Sequence, residues 1–177
     1  MARTFLSVLL LTALASTPAL DASASTQAAP ADVPVSVRYD HPERFAETRE
    51  VRAFAPARAS EDYLGSLKSY IEQRAGKLLA PGEQLKIVIT DVDRAGAFEP
   101  WRGPSLSDVR IVKDIYPPRI DLHFQLTDAS GTVLREGNRR LRDPGFLNST
   151  TQATSTSNLR YEKALIDRWL RKGATEL

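Results

Sequence analysis

A chain of 177 residues with 24 basic and 22 acidic side chains carries a formal net charge of only +2, too small an excess to read as a nucleic-acid binder. Cysteine is absent, which excludes disulfide staples, thiolate metal centres, cysteine nucleophiles and lipid attachment at a leader cysteine. The stability of the fold therefore rests on its core.

Behind a short basic start at Arg3, Phe5 to Ala15 is an apolar run of eleven residues. Such a run suits a secretory signal and falls short of the about 20 residues that span a bilayer. Pro18 ends it, and Ala22-Ser23-Ala24 presents small residues where a signal peptidase reads, so cleavage is expected after Ala24; an uncleaved anchor is the alternative. Residues 1–24 thus read as a signal peptide, 25–32 as a flexible lead, 33–173 as a single domain and 174–177 as a tail. No second apolar run reaches membrane length, and the expected destination is the periplasm.

Val33, Val35, Val37 and Tyr39 alternate with polar residues as in a strand, and Pro34 argues for the strand's first residues or a sheet edge. Residues 40–57 are charged and read as irregular. Ser60 suits a helix N-cap, and Leu64, Leu67, Ile71, Ala75 and Leu78 then recur at helical spacing until Pro81-Gly82. Leu85, Ile87 and Ile89 predict a strand that Asp91-Val92-Asp93 ends, with a turn at Gly96 and a long loop holding Trp101. Residues 109–116 read as a further strand. Ile120, Leu122, Phe124 and Leu126 alternate cleanly with polar residues, and Asp128 to Gly131 turns the chain into a hairpin partner over 132–141. Residues 144–157 are polar and read as mobile, and a last helix is expected from Asn158 to Lys172. The order β-α-β-β-β-β-α predicts a two-layer α+β sandwich: a mostly antiparallel sheet with two helices on one face.

The stretch Leu85 to Gly96 resembles the signature of a bacterial exported family, domain of unknown function 3016. The resemblance continues through Val109 to Asp114, Tyr116 to Arg119, Asp128 to Gly137, Leu141 to Asp143, and Tyr161 to Lys163 with Trp169, about residues 33 to 173 in order. Arg94 stands where the family usually has an apolar residue, and Ala97 where it often has a polar one. The resemblance implies an exported soluble domain and no assigned activity.

Two aspartates two residues apart at a strand end, Asp91 and Asp93, point the same way in an extended chain. With Asp114 or Asp143 beside them they form a candidate oxygen-ligand set for a divalent cation, in a metal-binding domain or metal-dependent hydrolase. The simpler reading is a turn cap at Asp91 and an ion pair from Asp93 to Arg119. The arginines Arg135, Arg139, Arg140 and Arg142, with Arg119, are candidates for an anionic partner or for a solvated face. Trp101 is a candidate contact residue, or closes over the core. His41 and His123 belong to no zinc-type pair, no nucleophile elbow or Ser-x-x-Lys motif is present, and no glycine-rich phosphate loop appears, so no cofactor is expected. The reading is a non-enzymatic periplasmic module that binds an envelope protein or an anionic envelope component, or a subunit that lends an edge strand to an assembly.

Overall fold

A computed structural model describes residues 34–58, 62–148 and 157–171. The expected leader and cleavage site, Ser60 and residues 149–156 lie outside these.

Four strands form the main sheet in the order β1-β2-β5-β6: β1 is Val35–Tyr39, β2 Gln84–Asp93, β5 Arg119–Thr127 and β6 Val133–Arg142. β1 runs parallel to β2, and the other two pairings are antiparallel. The inner face carries Val35, Val37, Leu85, Ile87 and Ile89, with Ile120, Leu122, Phe124 and Leu126 of β5, all at most 2 % exposed. A strict alternation along β2 would send Asp91 and Asp93 to this same face. Instead the pairing slips by one residue: Ile89 faces Leu122, Asp91 faces Asp121, and Thr90 between them has no partner. This β-bulge hands the strand from one parity to the other. Val92 enters the core while Asp91 and Asp93 join the polar outer face. Burying either carboxylate unpaired would cost several kcal/mol, so the slipped register wins.

Among the described residues three helices are present where two were expected. α2 (Tyr63–Gly76) and α3 (Arg160–Leu170) pack Leu67, Ile71 and Ala75, and Leu165, Ile166 and Trp169, onto the inner face. The edge of the Phe124 ring meets Trp169 with centroids 5.8 Å apart. α2 is capped by Asp62, whose carboxylate accepts from the Gly65 N–H at 2.7 Å. The third helix, α1 (Ala46–Phe54), lies in the region read as irregular. Its buried position is Glu47 rather than an apolar residue, so hydrophobic periodicity could not reveal it.

After β2, a two-stranded ribbon pairs β3 (Ala97–Phe98) with β4 (Arg110–Ile111). This corrects the strand expected over 109–116. Val112 and Ile115 are exposed, so their alternation buries nothing. The loop between is ordered around Glu99, 1 % exposed, which takes Lys113 at 2.5 Å, the Tyr116 hydroxyl at 3.0 Å and the Arg102 guanidinium. Trp101 is 72 % exposed and does not close over the core. Of the stretch read as mobile, residues 146–148 form a single 3-10 turn, with Phe146 fully buried edge-on to Tyr161 at 4.8 Å.

Two deletions test the bulge. Removing Thr90 leaves every inward residue of β2 inward and is expected to preserve cooperative urea unfolding. Removing Val88 turns Ile89 outward and is expected to abolish it, as read by near-UV circular dichroism. A Thr90 deletion that fails to fold would show that the bulge geometry itself is required.

Candidate functional site

The turn that follows β2 is held by carboxylates from two helices. The Arg94 N–H donates to Glu47 at 3.4 Å, the Ala95 N–H to Glu162 at 2.8 Å, and the Phe98 N–H to Glu50 at 3.0 Å. Glu47 and Glu50 stand one turn apart on α1, and Glu162 is in the first turn of α3. Gly96 adopts φ 87°, and a Cβ there would meet the Ile111 carbonyl oxygen at 2.8 Å. Only glycine lets the turn lie this close to β4.

The buried charge is balanced by guanidinium groups. Arg110 reaches Glu47 at 2.6 Å and Glu50 at 3.6 Å, and Arg94 reaches Glu47 at 3.6 Å. Arg94 also donates to the Asn158 carbonyl at 3.0 Å and lies 5.7 Å from the Tyr63 ring centroid. Burial pushes the carboxyl groups of Glu47, Asp93 and Glu162 above the ordinary range, against the pull of Arg110, of Arg119 and of the Ala95 N–H respectively. Glu99 moves the other way, down to about 2, chiefly because Lys113 hydrogen-bonds its ionised form.

Of the aspartates singled out from the sequence, two come together. Asp91 binds Arg119 at 2.6 Å, and the same guanidinium lies 3.7 Å from Asp93. Asp91 also accepts the Ala46 N–H at 2.8 Å, capping α1 from outside the helix. Asp143 instead pairs with Arg168 at 2.6 Å, and Asp114 lies exposed on its loop. Among the described residues, the carboxylates that offer converging ligand atoms, within 4.8 Å of one another, are Glu47, Glu50 and Asp93. Arg110 already occupies that negative potential. Arg140 and Arg142 stand exposed on the outer face of β6, in register with Asp121 and Arg119. Of the other arginines in that run, Arg139 lies over the Phe124 ring, 4.9 Å from its centroid. His123 meets Asn138 at 3.2 Å and His41 meets Glu43 at 3.2 Å.

A cleft of about 590 Å³ lies on the helix side of the clamped turn, within the volume range of small-molecule sites. α1, the start of α2, the turn at Arg94-Ala95 and the first turn of α3 wall it. Its acids are engaged: Glu47 by Arg94 and Arg110, Glu162 by the Ala95 N–H, Asp62 by the Gly65 N–H and Glu43 by His41. Among the described residues no carboxylate pairs with its other arginines, Arg52, Arg58 and Arg160. Arg160 instead stacks on Tyr161 at 4.6 Å and donates to its hydroxyl at 3.1 Å. Sequence reading missed this cleft. One signal was available: Glu162 sits at helical spacing on the apolar stripe of Leu159, Leu165, Ile166 and Trp169, where a carboxylate has to be serving a buried donor.

A family model described as "Protein of unknown function (DUF3016)" matches residues 33–172. No curated protein and no solved structure matches the chain.

Replacing Glu47 with Ala leaves Arg94 and Arg110 without their buried counter-charge and is expected to cost about 3–5 kcal/mol, measured by urea unfolding. A loss below about 1 kcal/mol would show that water compensates the guanidinium groups. The pH dependence has two signs. Glu47, Asp93 and Glu162, with raised folded values, favour the fold increasingly as pH falls through those values. Glu99 stabilises above its ordinary value of 4.5 and loses that contribution as pH falls to about 2. Unfolding midpoints are therefore expected to rise on mild acidification and to drop at lower pH. Glu162→Gln is expected to flatten the rise, and Glu99→Gln the drop.

Proposed function

The chain belongs to this DUF3016 family, and we propose that it is an exported, non-enzymatic module that binds an anionic envelope component in the arginine-rimmed cleft. Export rests on the leader, with its eleven-residue apolar run and Ala22-Ser23-Ala24. The absence of recognised nucleophile and phosphate-loop motifs from the sequence favours binding over catalysis. Binding is carried by one observation: three arginines from three elements meet at one cleft, and none has a carboxylate partner among the described residues. Unpaired cations around a concave surface focus positive potential and draw in anions. In a chain of net charge +2 this excess is local, which favours a small anionic group over a nucleic acid. No helix among the described residues is long and apolar enough to cross a membrane.

A cation site at Glu47, Glu50 and Asp93 is the second reading, favoured by the convergence of their oxygens. Arg110 competes for the same oxygens, so Ca²⁺, Mg²⁺, Mn²⁺ and Zn²⁺ are each expected to leave the melting temperature unchanged. A rise with any of them that Asp93→Asn removes would establish the cation site instead.

Two measurements test the primary proposal. The N-terminus of the exported chain is expected to be Ser25, read by intact mass; retention of the full leader would point to an anchor. In NMR titrations with inorganic phosphate, sulfate and acetate, the Nε–H signals of Arg52, Arg58 and Arg160 are expected to shift, with Arg38 as an unaffected control. If no anion moves them, the cleft is not an anion site.

A further inference from the structure

Resting on that anion-binding reading, we infer that the cleft takes a phosphoryl ester, with its phosphate at the arginines and an uncharged ring or hydrocarbon body inside. The type and number of cations select the group. Every basic residue of the cleft is arginine, and none is lysine. A guanidinium is a planar fork of donors, and a single one satisfies both oxygens of a carboxylate. Three are matched to a group with three oxygens, such as a phosphoryl monoester. They line the cleft from α1, from the single 3-10 turn at Pro56–Arg58 and from the first turn of α3, so a group bound by all three would lie between elements.

The remainder of the lining sets the orientation. Val51, Leu64, Phe98 and Val112 give the cleft apolar walls, and the rings of Tyr63 and Tyr161 add flat faces. Glu47 and Glu162 also line it, with one buried oxygen of Glu162 left without a partner. A second anionic group directed toward these carboxylates would be repelled, whereas an uncharged body meets apolar walls and, at Glu162, an acceptor for a hydroxyl or amide hydrogen. One negative end and one neutral end therefore fit the cleft in a single direction. A polyanion does not. Inorganic phosphate, which has no body, fills only the arginine end. Soluble phosphate esters and the headgroup of an anionic lipid share this chemistry.

Calorimetric titration of the chain lacking residues 1–24 tests it with phenyl phosphate, inorganic phosphate and benzoate. Phenyl phosphate is expected to bind about tenfold or more tightly than either of the others, because only it offers both phosphoryl group and ring. Exchange of Arg52 and Arg160 for Lys keeps the charge but removes the forks and is expected to weaken phenyl phosphate about tenfold. Val51→Trp, which fills the apolar wall, is expected to reduce phenyl phosphate to the affinity of inorganic phosphate. Unchanged melting of each variant shows that it folds. Vesicles containing phosphatidic acid in phosphatidylcholine are then offered as competitor: displacement of phenyl phosphate identifies a lipid source, and no displacement a soluble ester, both supporting the phosphoryl assignment. Equal binding of benzoate and phenyl phosphate would overturn the assignment and leave the anion site standing. No binding by any of the three, with no movement of the arginine signals, would overturn both.

Discussion

One extra residue in β2 sets the chemistry of both faces of this sheet. Through Ile89 the strand alternates with its apolar side chains inward, and the same parity would bury Asp91 and Asp93. Because Thr90 stands outside the pairing, Val92 takes the next core position and the aspartates emerge beside Arg119. The emergence of Asp91 is what brings its carboxylate to the first N–H of α1 and fixes where that helix begins. With α1 in place, Glu47 and Glu50 reach back to the residues just after β2. A local slip in hydrogen-bond register therefore propagates, through a helix cap, to the wall of the cleft.

Around the clamped turn, acids do the work that backbone pairing does elsewhere. The Arg94, Ala95 and Phe98 amides leave the main sheet and are met by side chains from two helices instead. Two of these carboxylates, Glu47 and Glu162, are buried, and burial raises the cost of their charge. Arg94 and Arg110 offset that cost on one flank, so the cleft has a neutralised floor and a positive rim. Through its contacts to Glu47, Asn158 and the Tyr63 ring, Arg94 links α1, α2 and the approach to α3 across one cleft.

The parts legible from the sequence are those in which burial and apolarity coincide. β5 alternates without exception, α2 carries its stripe, and the hairpin turn at Asp128 is marked by its own chemistry: the Asp128 carboxylate accepts from the Ser130 and Thr132 amides. Where a buried position is occupied by a charge, the pattern inverts and the reading fails. α1 was hidden because its inward residue is Glu47, and the clamp was hidden because its members are far apart along the chain. The converse error occurred at 109–116, where Ile111, Val112 and Ile115 read as a strand although two of the three are exposed. There the chain is organised by Glu99, a hub whose partners no periodicity announces. Asp91 and Asp93 share one face beside Arg119, and whether that face was core or solvent depended on the unpaired Thr90.

The parallel pairing of β1 with β2 has a consequence for how the chain reaches this state. Val35 faces Leu85, with α1 and α2 in the loop between them, whereas β5 and β6 meet across a tight turn. Closing the longer loop costs more entropy before any contact repays it, so the hairpin has the lower barrier and the β1 contact the higher. A chain made from its N-terminus presents β1 first, yet β1 has nothing to pair with until Leu85 and its neighbours appear. The apolar Val35 and Val37 must wait exposed through that interval, and the charged segment that follows them, from Asp40 to Arg52, keeps the waiting strand in solution.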